Sequence, residues 1–124
     1  MIHQAALIKG IEGIELVGSW DITESNVSEM KKLLADEGLG CVSIIPDLFS
    51  QKRWGLGSFS AKSAAIRQQA LEETRSVCRI AREMTCPLIN LWLGEIRALI
   101  AKGDATASTR WMRQLLMGTS HAAA

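Results

Sequence analysis

Three short apolar stretches, residues 11–17 (IEGIELV), 41–45 (CVSII) and 88–93 (LINLWL), alternate with helical stretches, and this alternation constrains the chain more than any other feature. Each is bounded by residues that punctuate strands: Gly10 and Gly18 around the first, Gly40 and Pro46 around the second, Pro87 before the third. Short β-branched runs between such breakers are strand grammar. Strands that are apolar at nearly every position belong to parallel sheets covered by helices, whereas half-exposed strands alternate apolar and polar.

The segments between them carry a helical period. Residues 2–9 are compatible with a short helix that Gly10 stops with a left-handed cap. Thr23 and Asn26 are capping types, and Asn26 with Glu29 three residues on reads as a capping box. Val27, Met30, Leu33 and Leu34 then form an apolar stripe that ends at Gly38 and Gly40. From Ser63, a long amphipathic helix places Ile66, Ala70, Val77, Cys78, Ala81 and Met84 on one side, with Arg67, Gln68, Glu72, Glu73 and Arg75 largely on the other. The order α-β-α-β-α-β predicts an α/β fold, parallel strands joined by crossover helices. The right-handed crossover rule leaves a barrel segment or an open doubly wound sheet.

Size and charge narrow the partners. A chain of 124 residues makes one small domain, and its 48% apolar and 22% charged content is that of a sequence that buries a core. The net charge of +1 gives no electrostatic footprint for nucleic acid or for an anionic membrane, so neither is expected as a partner. The opening MIHQAALIKG lacks a signal-peptide core, and no apolar run approaches the roughly 18 residues that span a bilayer, so a cytoplasmic location is expected. Cys41, Cys78 and Cys86 are odd in number, have no C-x-x-C spacing and sit in apolar surroundings, which reads as reduced core thiols.

Phosphate loops, nucleophile elbows and H-E-x-x-H zinc sites are absent from the sequence. His3 and His121 have no cysteine or carboxylate at ligand spacing and read as surface histidines. The chemistry-bearing residues that remain are carboxylates and aromatics near strand ends: Glu15, Asp21, Asp47, Phe49, Trp54, Phe59, Trp92 and Glu95. Parallel α/β proteins build their ligand sites at the carboxyl ends of the strands. The stretch 47–62 has neither helical nor strand period, and a loop of that length in a small domain is functional or is pinned down by its own aromatics.

Several of these residues fall in an order that resembles a known family. The run Asp47-Leu48-Phe49, then Trp54, Gly57-Ser58-Phe59-Ser60, Ile66-Arg67-x-x-Ala70-Leu71, Ala81-Arg82-Glu83 and Leu91-Trp92-Leu93-Gly94 resembles the xylose isomerase-like TIM-barrel superfamily. The segment from Gly10 to Leu16 is similar to that family's second strand, and the resemblance extends over residues 5–95. It implies a partial (β/α)8 barrel containing about the second to fourth strands. It also implies a pocket for a sugar or sugar derivative, with Phe49 and Trp92 as walls and Asp47, Glu15, Trp54 and Phe59 as further substrate-binding candidates. Aromatic rings stack on the weakly polarised C–H faces of a sugar, and carboxylates accept its hydroxyl hydrogen bonds. The reading from the residues alone remains beside it: each of these aromatics can equally serve as packing.

The implied reaction is aldose-ketose isomerisation or epimerisation, with a divalent metal, Mn²⁺ or Mg²⁺, required by a full-length relative. The family's metal ligands come from its fifth to eighth strands, so no metal ligand and no catalytic residue is assigned to this chain. A full barrel takes about 250 residues. The expectation is therefore residues 1–95 as an incomplete barrel segment and 96–124 as a divergent helical tail, with Trp111, Leu115 and Leu116 on one face. Such a chain is a fragment, a truncation or a frameshift product near Glu95, inactive alone and open to homo-oligomerisation; a non-catalytic α/β interaction module is the rival reading. Met84-Thr85-Cys86 departs from the family, which places a glycine at that helix end.

Overall fold

Alternating apolar segments and breakers fold into the order expected of them. The computed structural model describes residues 1–92, so the readings of Glu95, Trp111 and the tail lie outside the described residues. The elements are α1 (Ile2–Ala6), β1 (Gly13–Val17), α2 (Val27–Asp36), β2 (Gly40–Ile45), a 3₁₀ turn at Lys52–Trp54, and α3 (Ala64–Met84). They gather into two compact units: Met1–Asp47 with Glu72–Trp92, and Leu48–Leu71.

In the first unit β1 and β2 are parallel, paired from Gly13↔Gly40 to Val17↔Ile45, with an irregularity between Ile14 and Glu15. The third apolar stretch joins β2 through a single parallel bridge, Ile44↔Ile89. Two backbone bonds make it: Ile44 N–H to the Leu88 carbonyl (3.1 Å) and Asn90 N–H to the Ile44 carbonyl (3.0 Å). The predicted strand over 88–93 is thus reduced, among the described residues, to one pairing position.

One face of this sheet is dry. Leu16 and Ile44 enter a core with Val27 and Leu34 of α2 and Val77, Ile80, Ala81 and Met84 of α3. The α3 contributors recur at three- and four-residue steps, which is the buried stripe of a helix. Each large aliphatic side chain hidden there contributes about 1.5–3 kcal/mol. Cys78, placed on that stripe by its apolar character, is instead exposed. It follows Val77 by one residue, a turn of about 100° around the helix axis, and so leaves the stripe.

Backbone hydrogen bonds and capping residues set the helix ends. Gly38 adopts φ +69°, and the bonds Leu39 N–H to Leu34 C=O (2.9 Å) and Gly38 N–H to Ala35 C=O (3.1 Å) complete a Schellman motif at the end of α2. The end of α3 repeats it: Cys86 N–H reaches Ala81 C=O (2.8 Å) and Thr85 N–H reaches Arg82 C=O (3.2 Å), with Thr85 at φ 57° in the left-handed position. At the start of α2, Asn26 is the N-cap, yet its side chain makes no bond into the helix. Its Oδ1 accepts from Thr23 N–H at 2.7 Å, closing the preceding turn in place of the capping box. α1 stops at Ala6, and Gly10, at φ +96°, belongs to the turn beyond it.

The second unit has its own small core of Leu48, Trp54, Phe59 and Ala70, flanked by Ile66 and Leu71. Arg67 ties the loop to the first turns of α3, donating through Nη1 to the carbonyls of Ala61 (2.6 Å) and Lys62 (2.8 Å).

Candidate functional site

Strand alternation decides which side chains can meet a ligand. Successive residues of a strand point to opposite faces, so with Leu16 and Ile44 turned to the helices, Glu15 and Ser43 lie on the other face. They are register partners. The Ser43 hydroxyl donates to Glu15 Oε2, and the Asn90 amide Nδ2 donates to the same oxygen at 3.3 Å. A single carboxylate oxygen therefore gathers donors from β2 and from the Leu88–Asn90 neighbourhood, making a polar row across all three sheet segments. Ser43 is buried and Glu15 exposed, and Glu15 Oε1 has no protein hydrogen-bond partner among the described residues.

The carboxyl ends of β1 and β2 hold the other acidic candidates, and both serve the backbone and turns. Gly18 N–H extends the ladder to the Ile45 carbonyl (2.8 Å), and a side chain at Gly18 would meet Val77 Cγ2 at 2.8 Å, so glycine lets α3 approach. Ser19 follows at φ 67° and donates through Oγ to Asp47 Oδ2 at 3.1 Å. Asp47 is fully buried. Asp21 Oδ2 accepts from Val17 N–H at 2.8 Å, and its carbonyl accepts from Asn26 Nδ2 at 3.3 Å. Both carboxylates are thus bonded at the carboxyl ends of the two strands.

An open concavity of about 480 Å³ borders β1, with Glu15 and Asp21 as its carboxylates and Ile2, Ala5, Ile14 and Leu33 in its apolar wall. Glu15 belongs both to the polar row and to this hollow. Trp92 follows Asn90 by two residues and is 52% exposed. His3 lies on the surface with Nδ1 3.0 Å from Glu37.

The remaining aromatic candidates belong to the second unit. Trp54 and Phe59 are 1% and 5% exposed and form its core, with the Arg53 guanidinium 4.3 Å from the Trp54 ring centroid. Phe49 is half-buried. Trp54 and Phe59 thus pack together in the second unit, with the 47–62 loop around them.

Sequence reasoning singled out Glu15 but not its partners. Asn90 carried a signal, as the one polar residue inside the apolar run LINLWL. Ser43 carried a similar one inside CVSII. Among the described residues, no group of three or more His, Cys, Asp or Glu side chains is placed to hold a metal ion. Nor is any helix of the described residues long and apolar enough to cross a membrane.

The sequence matches, over residues 3–116, the family model described as xylose isomerase-like TIM barrel. No curated protein matches the chain as a relative.

Proposed function

The chain belongs to the xylose isomerase-like TIM-barrel family, and from that premise we propose that it contributes a sugar-binding wall to a metal-dependent isomerase or epimerase. The observation that carries this reading is the shared oxygen of Glu15. With Oε2 occupied by Ser43 and Asn90, the carboxylate is held in one orientation while Oε1 remains available to a hydroxyl. A carboxylate fixed in this way accepts a sugar O–H without first losing its own rotational freedom. The Asn90 amide carries both donor and acceptor atoms for a neighbouring hydroxyl, and the Trp92 indole offers a face to the sugar's C–H groups.

In such a reaction, the described residues bind and orient. Moving a hydrogen between adjacent carbons places charge on the substrate's oxygens, and a divalent metal acting as Lewis acid would stabilise it. The ligands of that metal are proposed to lie outside residues 1–92. The near-neutral chain favours a neutral polyol over a nucleic acid, whose phosphates call for a basic stripe.

A panel of aldoses and ketoses titrated into the full chain, followed by tryptophan fluorescence and amide chemical shifts, tests the proposal. Saturable binding that Glu15→Gln weakens about tenfold supports it, since a hydrogen bond to a charged group contributes roughly 1.5–3 kcal/mol. A folded chain indifferent to every sugar overturns it in favour of a non-catalytic interaction module. Equal binding by Glu15→Gln would remove Glu15 from the site.

A further inference from the structure

Near the Ile44–Ile89 bridge two thiols adjoin, the Cys86 sulfur within hydrogen-bonding reach of Cys41. Three positions upstream on each side, 44 − 3 and 89 − 3, stand Cys41 and Cys86. A disulfide needs the two sulfurs to approach to bonding distance with little backbone movement, and these sulfurs already adjoin. The thiols also bracket one hydrogen bond of the bridge. Cys86 Sγ lies 3.5 Å from the Leu88 carbonyl, which accepts from Ile44 N–H, while Cys41 Sγ lies 3.7 Å from the Ser43 carbonyl of that same peptide unit. Both cysteines are free, half-buried and packed against the edge of the first unit's core.

We propose that Cys41 and Cys86 form a reversible redox site, closing into a disulfide that clamps the segment carrying Asn90 and Trp92 onto β2. The oxidant is a low-molecular-weight disulfide, RSSR. Cys86 loses its proton and its sulfur attacks RSSR, breaking the S–S bond and releasing one RSH with that proton. Cys41 then loses its proton and attacks Cys86 Sγ, expelling the second RSH. Two protein S–H bonds and one RS–SR bond are replaced by one protein S–S bond and two RSH, and two electrons pass from the protein thiols to the small disulfide.

The order of attack follows from the surroundings. Burial pushes the Cys41 thiol up to about 12, and the adjoining Cys86 sulfur adds to the effect. Cys41 therefore keeps its proton at neutral pH and acts second, after Cys86 has lost its charge in the mixed disulfide. Cys78 stands apart as an exposed thiol on α3.

The test is incubation of the full chain, as wild type and as Cys78→Ser, with oxidised glutathione, followed by non-reducing peptide mapping and thermal melting. The expected product has lost two hydrogens, yields a linked peptide pair containing Cys41 and Cys86 in both proteins, and reverts with dithiothreitol. Its thermal midpoint rises by about 5 °C, because the cross-link closes a long loop of the unfolded chain. Glutathione adducts that persist without a cross-link, a linkage through Cys78, or a cross-link that lowers the midpoint would each overturn the proposal. Because the wild type carries all three cysteines, the mapping decides the outcome even if the Cys78 variant folds poorly.

Discussion

Ser19 Oγ donates to Asp47 Oδ2 at 3.1 Å, joining the turn after β1 to a fully buried carboxyl group just beyond β2. Ser19 reaches it from a left-handed backbone, φ 67°. Two contributions at that residue can therefore be separated by substitution. Ser19→Gly removes the hydrogen bond but suits the backbone; Ser19→Ala removes the bond and keeps the strain. Both variants should be less stable than the wild type, with Ser19→Ala below Ser19→Gly by about 1 kcal/mol. Urea unfolding midpoints check the order, and an alanine variant more stable than the glycine variant contradicts the assigned conformation.

Thr85 sits in the left-handed position of the Schellman motif that ends α3. A β-branched residue there bears a penalty that glycine does not. Thr85→Gly should raise stability by about 1 kcal/mol, and Thr85→Asn by less. A denaturation curve for Thr85→Gly at or below the wild-type midpoint would show that the residue is not strained.

The first two predictions differ in how far their basis was legible in the sequence. The conflict at Thr85 could be read locally, because a helix stripe running to Met84 with no glycine behind it announces a poor cap. The Ser19–Asp47 bond could not, since its partners are 28 positions apart and meet only once β1 and β2 take their register. The same limit applies to Glu15: its place near a strand end was legible, while its face and its partners Ser43 and Asn90 required the sheet. Trp54 and Phe59 look alike in the sequence whether they wall a pocket or fill a core; in the fold both lie in the buried cluster of the second unit. Cys78 has apolar character but an angular position off the buried stripe of α3, and position prevails.

Trp54 holds the second unit together yet leaves its buried Nε1 without a hydrogen-bond partner among the described residues. Phenylalanine keeps most of the ring and removes the orphaned N–H. Trp54→Phe should therefore change stability by no more than about 1 kcal/mol, whereas Trp54→Ala should cost about 3–5 kcal/mol. Limited proteolysis within residues 48–71 reports the difference directly.

Glu24 accepts from Ser76 Oγ (2.8 Å) and pairs with Arg79 (2.8 Å), linking the turn before α2 to α3. The Ser76 bond, followed by the Arg79 bond, holds its pKa below the ordinary 4.5. A depressed carboxyl pKa stabilises the fold above the unfolded value, and that contribution is lost as pH falls through the folded value. Glu24→Gln should thus show a shallower loss of stability than wild type below pH 4.5, and the gap should narrow in high salt because the pair is exposed. Parallel acid limbs in thermal melts at low salt would remove Glu24 from the balance.

The single bridge at Ile44 and Ile89 also sets the order in which the sheet assembles. Gly13 and Gly40 are separated by 27 positions and begin a run of five paired positions, whereas Ile44 and Ile89 are separated by 45 and make, among the described residues, one. The longer loop adds only about 0.5 kcal/mol of closure entropy, so the scarcity of pairing, more than distance, makes the last segment dock late. Until it does, the backbone of β2 presents an unsatisfied edge to any other chain in reach. The yield of refolding is therefore governed by protein concentration during that interval, and a dilute chain finds Ile89 before it finds a neighbour.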